Sequence, residues 1–202
     1  MSSLIESVRD AGLDASGLGD SSALTPEHLT DAARTVTEFG RTVARLHDLP
    51  VPAGAPQAEG ALEIAAARRR AFDAGELDGI EVGAAYQHID VGRLVQVLED
   101  GAGTAAGRAG PPVLTHGAAV LASFRWDRWE PLGLADWDHL AVADRNRDLA
   151  SAARSIVVDL EPHFLSVFFD AYGHDHLDLI QLDWYSLALE LDPIGTPPQG
   201  GR

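Results

Sequence analysis

Apolar residues recur at helical spacing along most of the chain. Between residues 25 and 47 they are spaced three, four and three positions apart from Val36 to Leu46, which predicts one buried helix face. Thr25 and Pro26 mark the start of this helix, because threonine caps helix N termini and proline suits the first turn. Comparable patterns predict helices over about 3–11, 57–74, 81–99, 147–159, 162–172 and 176–190.

The pattern changes in the middle of the chain, where short apolar runs alternate with turn residues. The runs "VLTHG", "AVLASFRW" and "EPLGLADWD" predict small β-strands, the last two forming a hairpin across Asp127 and Arg128. The stretch 100–112, "DGAGTAAGRAGPP", is rich in glycine and predicts a flexible loop. The sequence therefore predicts a mainly α fold with a small β-hairpin insert.

Composition narrows the classes of partner and chemistry. The 202 residues suggest one domain, and 31 acidic against 15 basic residues give a net charge of −16. Nucleic acids and anionic membranes need clustered positive charge, so neither is expected as a partner, whereas a cationic partner fits. Every one of the 15 basic residues is arginine and there is no cysteine, so lysine-dependent and thiolate chemistry are excluded within this chain.

The N terminus and the apolar runs predict a cytoplasmic protein. The first residues, "MSSLIESVRDAGLDASG", are polar and amphipathic and lack the basic start and apolar run of a signal peptide. No stretch approaches the roughly 20 apolar residues that a membrane-spanning helix requires.

Two motifs carry the candidate chemistry. His116 and Gly117 end one predicted strand, and Asp136 and Trp137 end another twenty positions later. The segments "THGAAVLASF" and "LGLADWDHL" resemble the catalytic loop H-G-D-x-x-x-x-N and the following I-D-W of the aminoglycoside phosphotransferase and choline kinase-like family. The segments "LTPEHLTDAARTVTEFGRTVARLHDLP", "ADRNRDLASAAR" and "FLSVFFDAYG" resemble further motifs of this family in the same order, from about Leu24 to Leu191. The resemblance implies a protein-kinase-like fold and a phosphotransferase ancestry.

The catalytic loop departs from the family pattern at both functional positions. The aspartate that would accept the substrate proton is replaced by Ala118, and the asparagine that would bind Mg²⁺ is replaced by Ser123. The resemblance implies structural roles for His116 and Asp148, and it leaves Asp136 as the candidate metal ligand. No cofactor is therefore expected for this chain alone. Binding of ATP with Mg²⁺ is expected only if a second, separately encoded chain completes the kinase.

The extent of the resemblance predicts a C-terminal kinase lobe without the N-terminal lobe. The sheet, phosphate-covering loop and lysine of that lobe would precede Leu24. The predicted organisation is a short N-terminal segment at 1–23, a kinase-like C-lobe at 24–191 and a disordered tail at 192–202.

These observations lead to two hypotheses. The first is a catalytically degenerate pseudokinase that binds or scaffolds a protein or peptide, or accepts a cationic small molecule in the former substrate cleft. The second is a small-molecule kinase that is active only with a separately encoded N-lobe.

The hairpin at 119–135 is more apolar than a solvent-facing ribbon. Its apolar side chains must meet the N-terminal segment, a second copy or another protein. Phe124, Trp126 and Trp129 are the predicted interface residues of a homodimer or heteromer.

Overall fold

The structure, a computed structural model, describes residues 2–16, 25–128 and 130–193, without the side chains of Ser2, Ser3 and Glu27. Its helices are α1 (Ser2–Asp10), α2 (Pro26–Thr30), α3 (Ala32–His47), α4 (Ala61–Asp73), α5 (Val91–Arg108), α6 (Asn146–Asp159), α7 (Phe164–Tyr172) and α8 (Leu179–Glu190). Its strands are β1 (Val113–Thr115), β2 (Phe124–Asp127), β3 (Glu130–Leu134) and β4 (Ala141–Ala143). The predicted class, mainly α with a small β-hairpin, is confirmed. None of the helices in these ranges is long and apolar enough to cross a membrane.

The described residues form two compact units. Unit 1 contains Met1–Ala58 and Pro111–Asp178, and unit 2 contains Glu59–Gly110 and Leu179–Arg202. The predicted lobe at 24–191 therefore contributes to both units. Trp129 and residues 194–202 of the predicted tail lie outside the described residues.

Unit 1 holds two small antiparallel ladders. Strands β2 and β3 form the predicted hairpin, with Phe124 opposite Leu134 and a bulge between Arg125 and Trp126. Strands β1 and β4 pair with Leu114 opposite Val142. Strand β4 was not predicted, because three residues are too short to show alternation and the partner strand lies far away in sequence.

The outer edge of the hairpin pairs with the N-terminal segment. The backbone N–H of Leu134 donates to the Leu13 carbonyl at 2.8 Å, and the N–H of Ala15 donates to the Leu134 carbonyl at 2.7 Å. The sequence left three possible partners for the apolar hairpin: the N-terminal segment, a second copy or another protein. The structure shows the N-terminal segment in contact with it.

Aromatic side chains from four elements form the core of unit 1. The Phe39 ring centroid lies 5.5 Å from that of Phe124 and 5.6 Å from that of Phe168, and the Trp126 ring stacks on His28 at 5.1 Å. Phe124 and Trp126 have no solvent exposure. The prediction that these two side chains form an interface is therefore wrong, because helices α2 and α3 already cover them.

Unit 2 is built from helices α4, α5 and α8. The Trp184 indole N–H donates to the Leu98 carbonyl at 2.9 Å, and the Arg69 guanidinium pairs with the Glu99 carboxylate at 2.5 Å. Helix α5 runs from Val91 to Arg108, so the helix predicted at 81–99 is confirmed from residue 91 only, and residues 100–108 of the predicted loop belong to the helix. The alanines at 102, 105 and 106 favour helix and continue the segment through its glycines.

Candidate functional site

The turn that begins with His116 is bound to the first turn of helix α6. The backbone N–H of His116 donates to Asp148 Oδ2 at 2.7 Å, and that of Gly117 donates to Oδ1 at 2.8 Å. Both carboxylate oxygens of Asp148 are thus used to hold the backbone between β1 and the following loop. Asp148 has no solvent exposure, so these are charge-assisted hydrogen bonds in a region without competing water.

The environment of Asp148 keeps its carboxylate ionised. Burial is the largest influence and would raise the pKa, as it does for any carboxyl removed from water. The hydrogen bond and charge of His47, the charge of His116 and the His116 backbone N–H together outweigh burial and lower the pKa below its ordinary value of 3.8. The carboxylate therefore serves as a fixed acceptor near neutral pH.

His47 extends this network to the end of helix α7. Its Nε2 lies 3.2 Å from Asp148 Oδ2, and its Nδ1 lies 2.8 Å from the Tyr172 hydroxyl. A carboxylate only accepts, so Nε2 donates to Asp148, while Nδ1 shares a hydrogen bond with the Tyr172 hydroxyl. Arg145 in turn donates to the Tyr172 oxygen at 3.3 Å. Residues from α3, α6 and α7 thus converge behind the turn.

Tyr172 stays neutral in this arrangement. Burial is the main cause that raises the pKa of its hydroxyl to about 12, opposed by Arg145 and assisted by Asp148 and Asp48. A neutral hydroxyl can donate to His47 and accept from Arg145 at the same time.

The His116 ring and the Gly117 backbone fix the shape of the turn. His116 Nε2 donates to the Ala135 carbonyl at 2.7 Å, and the ring centroid lies 4.6 Å from that of Trp137. Gly117 has a φ of +85°, and a Cβ there would lie 2.6 Å from the His139 carbonyl oxygen. Only glycine fits this position. His116 and Asp148, which were expected to be structural, both bind backbone groups, although the buried His116 Nδ1 has no hydrogen-bond partner among the described residues.

The two altered positions of the loop offer no group for catalysis. Ala118 follows the turn and presents only a methyl group. Ser123 is buried, and its hydroxyl donates to the Val120 carbonyl at 2.8 Å while lying 3.4 Å from the Val120 nitrogen. The Ser123 oxygen is therefore committed to its own turn.

Asp136 faces an arginine. Its backbone is left-handed, with φ 66° and ψ 54°, and its side chain is 71% exposed. Asp136 Oδ2 lies 3.5 Å from a guanidinium nitrogen of Arg125, whose other terminal nitrogen donates to the Ala122 carbonyl. Arg125 thus brings a fixed positive charge to the carboxylate that the sequence singled out as a metal ligand.

The donor set around this loop does not fit a magnesium ion. Mg²⁺ requires oxygen ligands in near-octahedral geometry and is bound through carboxylates with few competing cations. Here the second donor is turned inward at Ser123, and Arg125 stands beside Asp136. Within the part of the chain that the structure describes, no three His, Asp or Glu side chains converge on a possible metal position.

Sequence reasoning identified the frame of the site but missed three of its members. His47 and Tyr172 lie in the "RLHDLP" and "DAYG" segments, which were matched to the family without a role for either side chain. Arg125 had no signal beyond its place in a predicted strand, and its contact with Asp136 depends on the hairpin register.

Together, the helical fold, the Asp148-bound turn and the hairpin that leads to Asp136 define a phosphotransferase-type frame with a kinase-like fold. The model of the phosphotransferase enzyme family, APH, matches residues 11–186. The chain belongs to this family.

Solved structures agree with the fold. An aminoglycoside-3'-phosphotransferase of type VIII is 21% identical with a TM-score of 0.66, over 86% of this chain and 66% of its own. The aminoglycoside phosphotransferase APH(3'')-Id from Streptomyces rimosus ATCC10970 is 22% identical with a TM-score of 0.64, over the same shares. The spectinomycin phosphotransferase APH(9)-Ia is 19% identical with a TM-score of 0.53, over 76% of this chain and 50% of its own. The chain thus spans between half and 66% of the length of these relatives.

Proposed function

We propose that this chain is a catalytically inactive member of the phosphotransferase family and acts as a binding module for a protein or peptide. Ala118 is the observation that carries the proposal. Phosphoryl transfer by kinases uses a carboxylate at this position of the loop to accept the proton of the substrate hydroxyl. A methyl group cannot take that role, and losing a general base typically costs about 10²–10⁴ in rate.

Neither Asp148 nor Asp136 suits the role of the missing base. Asp148 is buried and holds the two N–H groups of the turn, so its lone pairs are already used. Asp136 lies 3.5 Å from a guanidinium nitrogen of Arg125, so its carboxylate already faces a cation.

The nucleotide is also expected to lack its anchors. Mg²⁺ neutralises the phosphate charge in kinases, and the donors around Ser123 and Asp136 do not suit it. The 202 residues contain no lysine to hold the phosphates. We therefore propose that the chain by itself uses neither ATP nor Mg²⁺.

The chain is proposed to correspond to the helical C-terminal lobe of the kinase-like fold. Two observations support this assignment: it covers 66% of the first two solved relatives, and its described part is mainly helical with only short strands.

A second candidate is a phosphotransferase completed by a separately encoded N-lobe. The observation that favours it is the intact frame, since His116, Gly117 and Asp148 keep the turn in order and Asp136 keeps its place. In that case a second chain would have to supply the phosphate-binding lysine and the missing base.

Nucleotide titration separates the two candidates. We expect isothermal titration of the purified chain with ATP and Mg²⁺ to give no heat of binding, whereas a micromolar dissociation constant would refute the inactive assignment. The same titration with a candidate N-lobe present tests the split enzyme.

Ala118→Asp restores one part of the loop and provides a second test. We expect no phosphate transfer from ATP to aminoglycosides or choline above the level of the control variant Ala122→Asp, because phosphate positioning is still missing. Turnover by Ala118→Asp alone would show that the nucleotide site is functional.

A further inference from the structure

A pocket of about 490 Å³ lies in unit 1 between the start of helix α3 and the end of helix α6. Leu29, Leu160 and Phe164 contribute its large apolar side chains, and Leu29 is 37% exposed. The end of α6 is apolar on its surface as well, since Val157 and Val158 are 43% and 50% exposed. The recess is open to solvent and has polar as well as apolar lining, and its apolar side chains can receive a side chain of another molecule.

Three carboxylates line the same pocket. Asp31, Asp159 and Glu161 are among its nine lining residues, and none of the nine is arginine or lysine. Each carboxylate uses one oxygen in a contact. Asp31 Oδ1 accepts the Arg34 backbone N–H at 3.2 Å, and Asp159 Oδ2 accepts the Ser155 hydroxyl at 2.8 Å. Glu161 Oε2 lies 3.2 Å from His163 Nδ1. Among the residues that the structure describes, no group donates a hydrogen bond to the second oxygen of each carboxylate, so the pocket keeps acceptor capacity toward a cation.

The helix ends at the pocket do not change this charge. The N-terminal end of α3 carries partial positive charge, and the C-terminal end of α6 carries partial negative charge of similar size. The two offset each other, so the carboxylate side chains set the local potential.

The pocket lies at the other end of α6 from Asp148, although Ser155 links it to the altered loop, since its hydroxyl accepts the Leu121 N–H at 2.9 Å and donates to Asp159 at 2.8 Å. Asp148 and Asp159 stand at opposite ends of α6, eleven residues apart, which corresponds to about 16 Å along the helix axis.

We propose that this pocket binds a peptide segment of a partner protein in which an apolar residue is flanked by arginine or lysine. The apolar recess receives the apolar side chain, and the three carboxylates pair with the flanking cations. A second copy of the chain does not suit the site, because its net charge of −16 opposes self-association. This inference rests on the proposed function as a binding module and gives that module a site.

A synthetic peptide tests the proposal on the full chain. The probe is acetyl-Gly-Arg-Arg-Leu-Phe-Arg-Arg-Gly-amide, titrated at low salt while backbone amide shifts are followed by NMR. We expect saturable shifts centred on Leu29, Leu160 and Phe164. The same peptide with glutamate for every arginine, or with serine for Leu-Phe, should produce none of them.

Charge-matched variants then locate the binding. Asp159→Asn with Glu161→Gln should weaken the affinity about 5-fold or more, since two exposed ion pairs are lost. Glu6→Gln with Asp10→Asn removes the same charge from helix α1 of unit 1 and should leave the affinity unchanged. An equal loss in both variants would mean that only net charge attracts the peptide, and it would overturn the proposed site.

Two other results would also overturn it. One is no saturable binding up to about 1 mM, the weak limit of specific recognition. The other is saturable binding centred elsewhere, for example on the loop from His116 to Ser123, which would leave the binding-module function standing without this pocket. Failure of the proposed function itself is recognised separately, by ATP binding and phosphate transfer.

Discussion

Replacing Asp148 with asparagine tests whether one buried carboxylate holds the turn after β1. The carboxylate accepts the backbone N–H groups of His116 and Gly117, one on each oxygen, and also faces His47. Asparagine has a similar shape but offers one carbonyl oxygen, and its amide group would point an N–H at another donor. The substitution therefore removes one hydrogen-bond acceptor from the backbone N–H groups of the turn without creating a cavity.

The expected loss of stability follows from these contacts. A hydrogen bond to a charged group contributes about 1.5–3 kcal/mol, and a buried N–H left without an acceptor costs about 1–3 kcal/mol. The free energy of unfolding should therefore fall by about 3–5 kcal/mol, a large part of the roughly 5–15 kcal/mol typical of a folded protein. Urea titration followed by tryptophan fluorescence should show the midpoint lowered by about 1.5–2.5 M.

The pH dependence provides an independent check. Asp148 has a pKa below its ordinary value of 3.8 in the folded chain, so its ionised form stabilises the fold. This contribution is complete above about pH 5 and is lost as the pH falls through the folded pKa. The difference in unfolding free energy between the wild type and Asp148→Asn should therefore be largest near pH 7 and should narrow in acid.

Asp138→Asn is the matched control, because Asp138 is an exposed aspartate in the turn after β3. Its effect should stay within about 0.5 kcal/mol. A fall in the free energy of unfolding of less than about 1 kcal/mol for Asp148→Asn would refute the role of this carboxylate in holding the turn. A difference in unfolding free energy between the wild type and the variant that does not narrow in acid would refute it as well.

Two further substitutions test the frame and the core. Gly117→Ala should lower the unfolding free energy by about 2–4 kcal/mol, because a Cβ at φ +85° meets the His139 backbone. Ala118→Ser is its control, and equal urea midpoints for the two variants would contradict the requirement for glycine at position 117. Trp126→Ala should cost about 3–5 kcal/mol and leave the molar mass measured by light scattering unchanged, because the ring is fully buried within unit 1. A change of molar mass without loss of stability would restore the interface hypothesis.

Local signals in the sequence predicted most of unit 1. Thr25 caps α2 as expected, since its side chain accepts the His28 N–H. The predicted hairpin forms, but Asp127 is the last residue of β2 and pairs with Glu130, so the turn begins after Asp127 rather than at it. The helix predicted across residues 25–47 is broken at Asp31, whose side chain accepts the Arg34 N–H and begins a second helix. An aspartate in a helical pattern is compatible with one continuous helix or with a break into two, because it is tolerated inside a helix and is also a good N-cap.

The errors in unit 2 have a packing origin. Glycines after residue 100 suggested the end of a helix, but Gly101 lies inside α5. Glycine is needed at this position because the Trp184 ring occupies the space that a side chain would need. A Cβ at Gly101 would lie 2.9 Å from the Trp184 ring. This close approach depends on a helix more than 80 residues later, which no local pattern encodes.

The candidate site was predictable in its residue types but not in its contacts. The replacement of the catalytic aspartate by Ala118 is visible in the sequence once the loop is recognised. The inward turn of the Ser123 hydroxyl and the approach of Arg125 to Asp136 depend on local geometry and strand register, so they required the structure.

The division of the chain sets an order of events during synthesis on the ribosome. Unit 1 is interrupted after Ala58 and resumes at Pro111, so the α3 helix emerges about 120 residues before α7 of the same unit. At about 5–20 residues per second, α3 waits on the order of 6–24 s for α7, the helix that covers Phe39. Phe124 emerges earlier and can already pack on Phe39, but the part of the apolar face that contacts Phe168 stays uncovered during that interval. Chaperones that bind nascent chains can act on this uncovered part. A slower or faster translation of the intervening segment would therefore alter the yield of folded protein without changing any residue.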